Sequence, residues 1–359
     1  MTSSQLIAEW NDLADRTHAA PFLRPGWFAA WSSAFGGPPI EVLTVRREGR
    51  LAGVVPLVRT GRSLRSPTNW HTPGFGPIAE APADVQALAE IVLARSPRQV
   101  RTAFLDADHW ATNIWSDAMR AGRRLTISRV VERPPYVAID GPWADYERTL
   151  SRKLMKDVRR RWRKLQEEMS ATVDVLDGSA DLDGALRLGF DLERSGWKGR
   201  GGSAIASRRD TDRFYRELAR WAAGRGILRL LFLNAAGGAI GFQFALEDDG
   251  VFYLLKSGFD PAAERFSPGK LMREAGLRRA FDLGLRRYEF LGAATPSKLE
   301  WTSTCHERLV IQSFRRDPAG SATWAAYAWG RPMAKRAVGA WRSIRPRRRD
   351  TRGGNGEGG

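Results

Sequence analysis

The sequence predicts an α/β fold of two related domains in tandem, and three features point to it. Residues 251–292 read as a β-rich apolar strand, a loop, a helix opening at Ser267-Pro-Gly-Lys and a second short strand at 288–291. The hairpin VLTVRREGRLAGVVPLV around Gly53 is echoed by LRLLFLNAAGGAIGFQFAL around Gly241, each preceded by helices and followed by strand and helix. Gly141-Pro142 then separates two halves of different character, because a long basic segment begins just after it.

The elements follow in order. Residues 4–35 carry Leu6, Trp10 and Leu13 and then Trp27, Phe28, Trp31 and Phe35 on helical stripes interrupted at Pro21 and Pro25, so the tryptophans read as core. Residues 42–45 and 51–58 form a hairpin across Arg47-Glu-Gly-Arg, and Asn69-Trp-His-Thr-Pro-Gly-Phe-Gly-Pro is a Gly/Pro-punctuated loop. A helix over 83–95, a strand over 100–105, a helix over 110–122 and strands over 124–131 and 136–139 complete the first half. In the second, residues 146–169 read as one long helix with Leu150, Leu154, Val158, Trp162 and Leu165 on a single apolar face. A strand over 173–176, helices over 180–195 and 211–224 and the hairpin 228–234/239–246 lead into the strand at Val251. A strand over 308–315 and an Ala/Trp-rich helix over 321–341 follow. The domains are therefore 1–141, 142–318, a C-terminal helix over 319–344 and a disordered basic, Gly-rich tail over 345–359.

The chain has 359 residues, 43% of them hydrophobic, enough to fill two cores. The single cysteine, Cys305, excludes an internal disulfide and a Cys-rich zinc site, and no window resembles a leader or a membrane span, so a cytoplasmic location is expected. The net charge of +17 is local: residues 152–164 carry eight Lys/Arg against Asp157, and residues 331–352 carry nine against Asp350. Without those seventeen cations and two anions, 40 basic and 38 acidic residues remain, which argues against a dedicated DNA binder. The basic helix is read as a solvated face, with an anionic acceptor, a tRNA or an anionic membrane surface as alternatives. The four histidines lack metal spacing, and no P-loop, dinucleotide or Gly-x-Ser-x-Gly motif is present, so no metal is expected. His306 reads as a surface histidine, with a general base as the alternative.

Glu193-Arg-Ser-Gly-Trp-Lys-Gly, Lys256-Ser-Gly-Phe-Asp260, Ser267-Pro-Gly269, Glu289-Phe-Leu-Gly292 and Lys298 with Trp301, in this order, make residues 145–315 similar to the BioF2-like acetyltransferase domain of the GNAT superfamily. The chain is more distantly similar to FemAB-type peptidyltransferases, and Pro21-Phe-Leu-Arg-Pro-Gly-Trp extends the resemblance into the first half. The resemblance implies tandem GNAT-like domains, the first degenerate, each a mixed, mostly antiparallel sheet flanked by helices. It implies acyl transfer, with acetyl-CoA as co-substrate, to a small-molecule or carbohydrate acceptor in polysaccharide or cell-envelope biosynthesis.

The same resemblance lays the pantetheine arm along Leu254 and Leu255 and seats the diphosphate on Arg265, Ser267, Gly269 and Lys270 at a helix N-terminus. The usual Gln/Arg-x-x-Gly-x-Gly/Ala loop is here Arg265-Phe-Ser-Pro-Gly-Lys, and FemAB-type relatives use aminoacyl-tRNA in place of coenzyme A. Glu193, Lys256 and Asp260 are the catalytic candidates, with a strand-end ion pair between Lys256 and Asp260 and a turn at Asp260-Pro261 as the plainer readings. Trp197 and Lys198, on a Gly-rich loop fit to be a lid, and Lys298 and Trp301 are the acceptor-side candidates, with a helix cap and a core indole as the plainer readings of the first and last.

Overall fold

The computed structural model describes residues 3–121, 124–195, 205 and 208–330. The first half contains α1 (Ser4–Arg16), α2 (Pro25–Phe35), β1 (Ile40–Arg47), β2 (Arg50–Thr60), β3 (Ser63–Arg65), β4 (Ile78–Ala79), α3 (Pro82–Ala94), β5 (Gln99–Asp106), α4 (Trp110–Ala121), β6 (Leu125–Glu132) and β7 (Tyr136–Ala138). The second contains α5 (Trp143–Thr149), α6 (Arg152–Met169), β8 (Thr172–Leu176), α7 (Leu182–Ser195), α8 (Arg209–Gly224), β9 (Leu228–Ala235), β10 (Gly238–Asp248) and β11 (Val251–Phe259). It ends with α9 (Pro268–Asp282), β12 (Arg287–Glu289), α10 (Pro296–Leu299), β13 (Arg308–Phe314) and α11 (Pro318–Ala325).

Two mixed sheets result. The first runs β1-β2-β3-β5-β13-β6 with β4 on β2, and the second runs β7-β12-β11-β10-β9-β8. Each is antiparallel apart from one parallel pair, β3 with β5 in the first and β11 with β12 in the second. The β11-α9-β12 unit is therefore parallel, as strand, helix and strand of this length require.

The halves exchange strands. β13, expected with the second half, lies between β5 and β6 in the first sheet and is antiparallel to both. β5, α4 and β6 run as two parallel strands with a helical crossover, and β13 fills the place between them in the opposite direction. In return β7 edges the second sheet beside β12.

The long basic helix expected over 146–169 is instead two, broken where Leu150 and Ser151 take extended backbone (ψ 155° and 127°). The break turns the Leu150 side chain into the core while the Tyr146 hydroxyl donates to the Trp301 carbonyl at 2.7 Å. The C-terminal helix ends at Ala325 in a wider turn over Ala326–Gly330; the rest of its expected span and the expected tail lie outside the described residues.

One core cluster joins the two halves. Trp10, Trp27 and Phe28 from the first pack with Phe190, Phe214, Tyr215, Phe244 and Tyr253 from the second. Trp27 and Phe214 meet edge to face at 5.4 Å, and a Cβ on Gly26 would sit 1.9 Å from the Trp221 indole, so α2 and α8 approach closely only because that residue is glycine. A second cluster under α5, α6 and α9 covers the other face of the second sheet, with Phe252, Leu254, Leu271 and Trp301. Among the described residues no helix is long and apolar enough to cross a membrane.

Candidate active site

The site begins where the second sheet opens. β11 and β12 pair at Val251–Arg287, Phe252–Tyr288 and Tyr253–Glu289, and there the ladder ends. Two local features part the strands. On β11, Lys256 pairs with Phe244 and Leu254 with Ala245, so Leu255 is an extra, bulged residue that bends the strand. After β12, Leu291 and Gly292 adopt φ values of 52° and 59°, which turn the chain away. The facing edges, residues 254–257 and 290–292, line a cleft of about 210 Å³.

Lys256 and Lys298 bring positive charge to this cleft. Lys256 Nζ lies 5.0 Å from the Trp70 ring centre and 5.3 Å from that of Tyr215. Such cation–π contacts contribute about 0.5–2 kcal/mol each, depending on desolvation. Lys298 Nζ donates to the Leu291 and Ala293 carbonyls and so closes the turn at the cleft's end. Burial raises the Glu132 carboxyl above its usual value, although Lys298 and Arg308 pull the other way.

The cleft also recruits residues that the sequence reading passed over. His71, from the Gly/Pro loop of the first half, is buried and stacks on Phe35 with ring centres 5.5 Å apart. Its Nδ1 is 3.2 Å from the Tyr215 hydroxyl and its Nε2 3.4 Å from that of Thr211. Burial, reinforced by Lys256 and Arg208, holds His71 down to about 3, so the ring is neutral. Burial, and then Glu193, pushes the Tyr215 hydroxyl well above its ordinary value. The one local signal was an aromatic pair, Trp70-His71, in a loop that has no helical or strand face to fill.

The remaining candidates divide. Glu193 is buried, its Oε2 accepting from the Ile205 N–H at 2.6 Å. A Cβ on Gly258 would lie 2.4 Å from Glu193 Cα, so glycine lets α7 rest on β11. Glu193 thus ties Ile205 to the sheet, which is an anchoring position and not one at the mouth of the cleft. Asp260 caps the short 3-10 turn Pro261–Phe266 by accepting from the Ala262 N–H. Trp301 lies in the second core, 1% exposed, as the plainer of its two readings has it. Trp197 and Lys198 lie outside the described residues.

The expected diphosphate seat is a cationic corner at the start of α9. Ser267 is left-handed at φ 53°, ψ 57°, and turns the chain into the helix, whose first N–H groups include that of Gly269. Around it, Arg161 donates to the Arg265 carbonyl at 2.9 Å, Arg265 stacks on Phe266 at 4.5 Å and Lys164 lies 5.7 Å from the same ring. Lys270 lies 3.2 Å from Glu300 and 3.6 Å from Asp157. Burial opposes ionisation of Asp157, but hydrogen bonds from Arg161 and Arg160, with Lys270 nearby, bring it down to about 2. The corner combines a helix N-terminus with cations from two helices, a donor set that suits a phosphate.

His306 is not a surface histidine. It is buried, stacks on Tyr136 at 4.1 Å and has Nε2 2.9 Å from Glu289 Oε1. Ligand atoms of Asp106, Asp108 and His306 lie within 4.8 Å of one another, but Arg308 pairs with Asp106 and Glu289 holds His306. A cation there would have to displace a guanidinium, so the group reads as an ion-pair network.

Comparison with known proteins agrees with this geometry. Residues 152–299 match the family described as "Acetyltransferase (GNAT) domain". No curated protein matches the sequence. Among solved structures, FemX is similar over 90% of this chain and 99% of its own, at 12% identity and a TM-score of 0.62. The C-terminal domain of a putative lysylphosphatidylglycerol synthetase from Agrobacterium fabrum is similar over 91% and 96%, at 11% identity and 0.58. L-PGS from Bacillus licheniformis follows over 84% and 95%, at 10% identity and 0.52. These likenesses show the fold.

Proposed function

We propose, from a chain whose residues 152–299 match a GNAT-type acetyltransferase domain, that the protein transfers an acyl group, acetyl in the simplest case, from coenzyme A to an amine or hydroxyl acceptor. The observation that carries this reading is the parting of β11 from β12 after Tyr253 and Glu289, which leaves two strand edges facing each other across a cleft. An extended amide-bearing arm fits such an edge, because free strand N–H and C=O groups are matched by amides spaced along it. Leu254 and Leu255 would hold that arm, while Arg265, Gly269 and Lys270, backed by Arg161 and Lys164, would hold the diphosphate. Coenzyme A supplies the activated thioester.

The chain's own groups do the rest. The acceptor's nitrogen or oxygen attacks the acyl carbon, its bond to that carbon forms, the carbon–sulfur bond breaks, and the acceptor's proton leaves with the thiol. The ammonium of Lys298, fixed by two carbonyls, faces the cleft and lowers the energy of the oxyanion that develops. Lys256 supplies a second charge, held in orientation by Trp70 and Tyr215. Neutral His71 with Tyr215 keeps the cleft wall polar without adding charge. A polysaccharide or envelope acceptor remains part of the reading through the family resemblance. Thiol release from acetyl-CoA on adding an acceptor tests it, and no thiol release with any amine or alcohol across a broad panel would count against it.

The exposed side of α6 favours a second reading. Arg152, Lys153, Lys156 and Arg163 are exposed, next to the cationic corner. An acyl group carried on an RNA would suit that surface, and aminoacyl transfer from tRNA is the alternative donor chemistry. Binding to tRNA that falls steeply with salt, with no acetyl-CoA binding, would favour it.

A further inference from the structure

A second and larger cavity, about 750 Å³, lies between the two sheets, within the span of about 300–1,000 Å³ usual for small-molecule pockets. It adjoins the cleft at its vertex. Tyr253 and Glu289, the last paired residues of β11 and β12, line the cavity, while their successors Leu254 and Phe290 line the cleft. The loop before β4 divides in the same way, with Thr72 and Pro73 on the cleft and Gly74 and Phe75 on the cavity.

The charges that line the cavity are already matched. Arg16 pairs with Glu80 at 2.8 Å, Arg287 with Glu289 at 2.7 Å, Arg308 with Asp106, and Arg286 with Asp249. A charged ligand would therefore bring a charge with no partner into a partly dry space, at a cost. Three hydrogen-bonding atoms of lining residues are left over among the described residues, one of them Arg287 Nε, which pairs with Glu289 by charge at 2.7 Å without the alignment of a hydrogen bond. Glu289 is 2% exposed, and its Oε1 takes both His306 and Arg287, yet its Oε2 has no hydrogen-bond partner among the described residues. Arg308 is 5% exposed, and its Nε likewise has none. These two groups sit at the ends of one chain, Glu289–His306–Asp106–Arg308, along a cavity wall. Native proteins seldom leave a buried acceptor and a buried donor unmatched at one cavity unless something else satisfies them.

Hydroxyls satisfy both kinds of atom, since each donates one hydrogen bond and accepts others, whereas an ammonium only donates. The other lining surfaces suit the same ligand. Phe22, Phe75 and Trp110 offer aromatic faces, and Tyr253 adds a hydroxyl whose ionisation is suppressed by burial and by Glu289. We infer that the inter-sheet cavity binds a neutral polyhydroxylated ligand, a sugar or sugar-like unit, through hydroxyls, one donating to Glu289 and another accepting from Arg308. As the pocket of the acyl acceptor it rests on the acyl-transfer reading; as a binding site it stands without it.

Saturation-transfer NMR with methyl α-glucoside as probe, and butylamine as the cationic comparison, tests this on the full chain. The wild type binds the glucoside and not butylamine. Glu289→Gln weakens binding at least tenfold and Tyr253→Phe weakens it less. Gly76→Phe abolishes binding: a Cβ at Gly76, which lines the cavity, meets nothing within 4 Å, so the ring enters open space and not the packed core. Thermal melts confirm that each variant is folded. Titration of acetyl-CoA on the same samples separates the two claims, because carrier binding without glucoside binding sinks only the cavity assignment, and the reverse sinks only the acyl-CoA reading. Equal glucoside binding in wild type and Gly76→Phe, binding of butylamine in its place, or no glucoside signal at ~50 mM overturns the inference.

Discussion

At the scale of single residues, the cleft is organised by a neutral histidine beside two lysines. Because the folded His71 holds its proton only below about 3 while an unfolded histidine takes one near 6.5, the unfolded chain gains protons first as the pH falls. Stability contributed by the neutral ring is therefore intact above about pH 6.5 and is lost progressively from there down towards pH 3. At about 1.4 kcal/mol per pKa unit the loss amounts to a few kcal/mol, and His71→Asn flattens that limb of a urea-midpoint-against-pH curve. The His71 imidazole resonances stay constant between pH 5 and 8; a midpoint near 6.5 would show that the ring is not buried as described. Lys298→Met removes the ammonium that two carbonyls hold at the cleft. It lowers turnover about a hundredfold while acetyl-CoA affinity changes less than about threefold, the pattern expected for a group that acts in the transition state. These roles were unevenly legible. Lys298 and Lys256 stood in motifs of the resemblance, whereas His71 and Tyr215 reach the cleft from distant parts of the chain, and only tertiary packing joins them. Glu289 was visible as the first residue of a motif, but its pairing with His306 was not, because a loop and a strand exchange bring them together.

At the scale of elements, the strand–loop–helix–strand unit was legible because its two periods, apolar β-rich and then helical from Ser267, change at a proline and a glycine. The long basic helix was read as continuous because its apolar face repeats through Leu150 and Leu154, and periodicity alone does not register a break that keeps both residues buried. Two glycines make the unit testable. Gly258→Val drives a side chain against the Glu193 backbone and costs about 1–3 kcal/mol of stability, visible as a lower melting temperature. Unchanged melting would mean that α7 does not rest on β11 there. Gly269→Glu places a carboxylate at the N-terminus of α9, 3.4 Å from the Phe259 ring at its Cβ. It weakens acetyl-CoA binding at least tenfold with little change in melting, since it opposes an anion and not the packing.

At the scale of the whole molecule, two sheets exchange strands and share a core, so the halves are expected to unfold together. Ile311 is 1% exposed in β13, the strand that crosses from the second half into the first sheet. Ile311→Asp buries an unpaired carboxylate in the shared core and lowers the midpoint of a single cooperative transition; two separate transitions in the wild type would contradict the shared core. The tandem arrangement was legible from the hairpin echo, but the destination of β13 was not, since a strand buried on both faces reads the same in either sheet. The claim on which the rest depends is that the parted strands and the cationic corner of α9 grip acyl-coenzyme A. Calorimetric titration of the full chain with acetyl-CoA tests it most directly: a saturable one-to-one isotherm that Gly269→Glu weakens at least tenfold is the predicted result, and no detectable heat at ~1 mM ligand would contradict it.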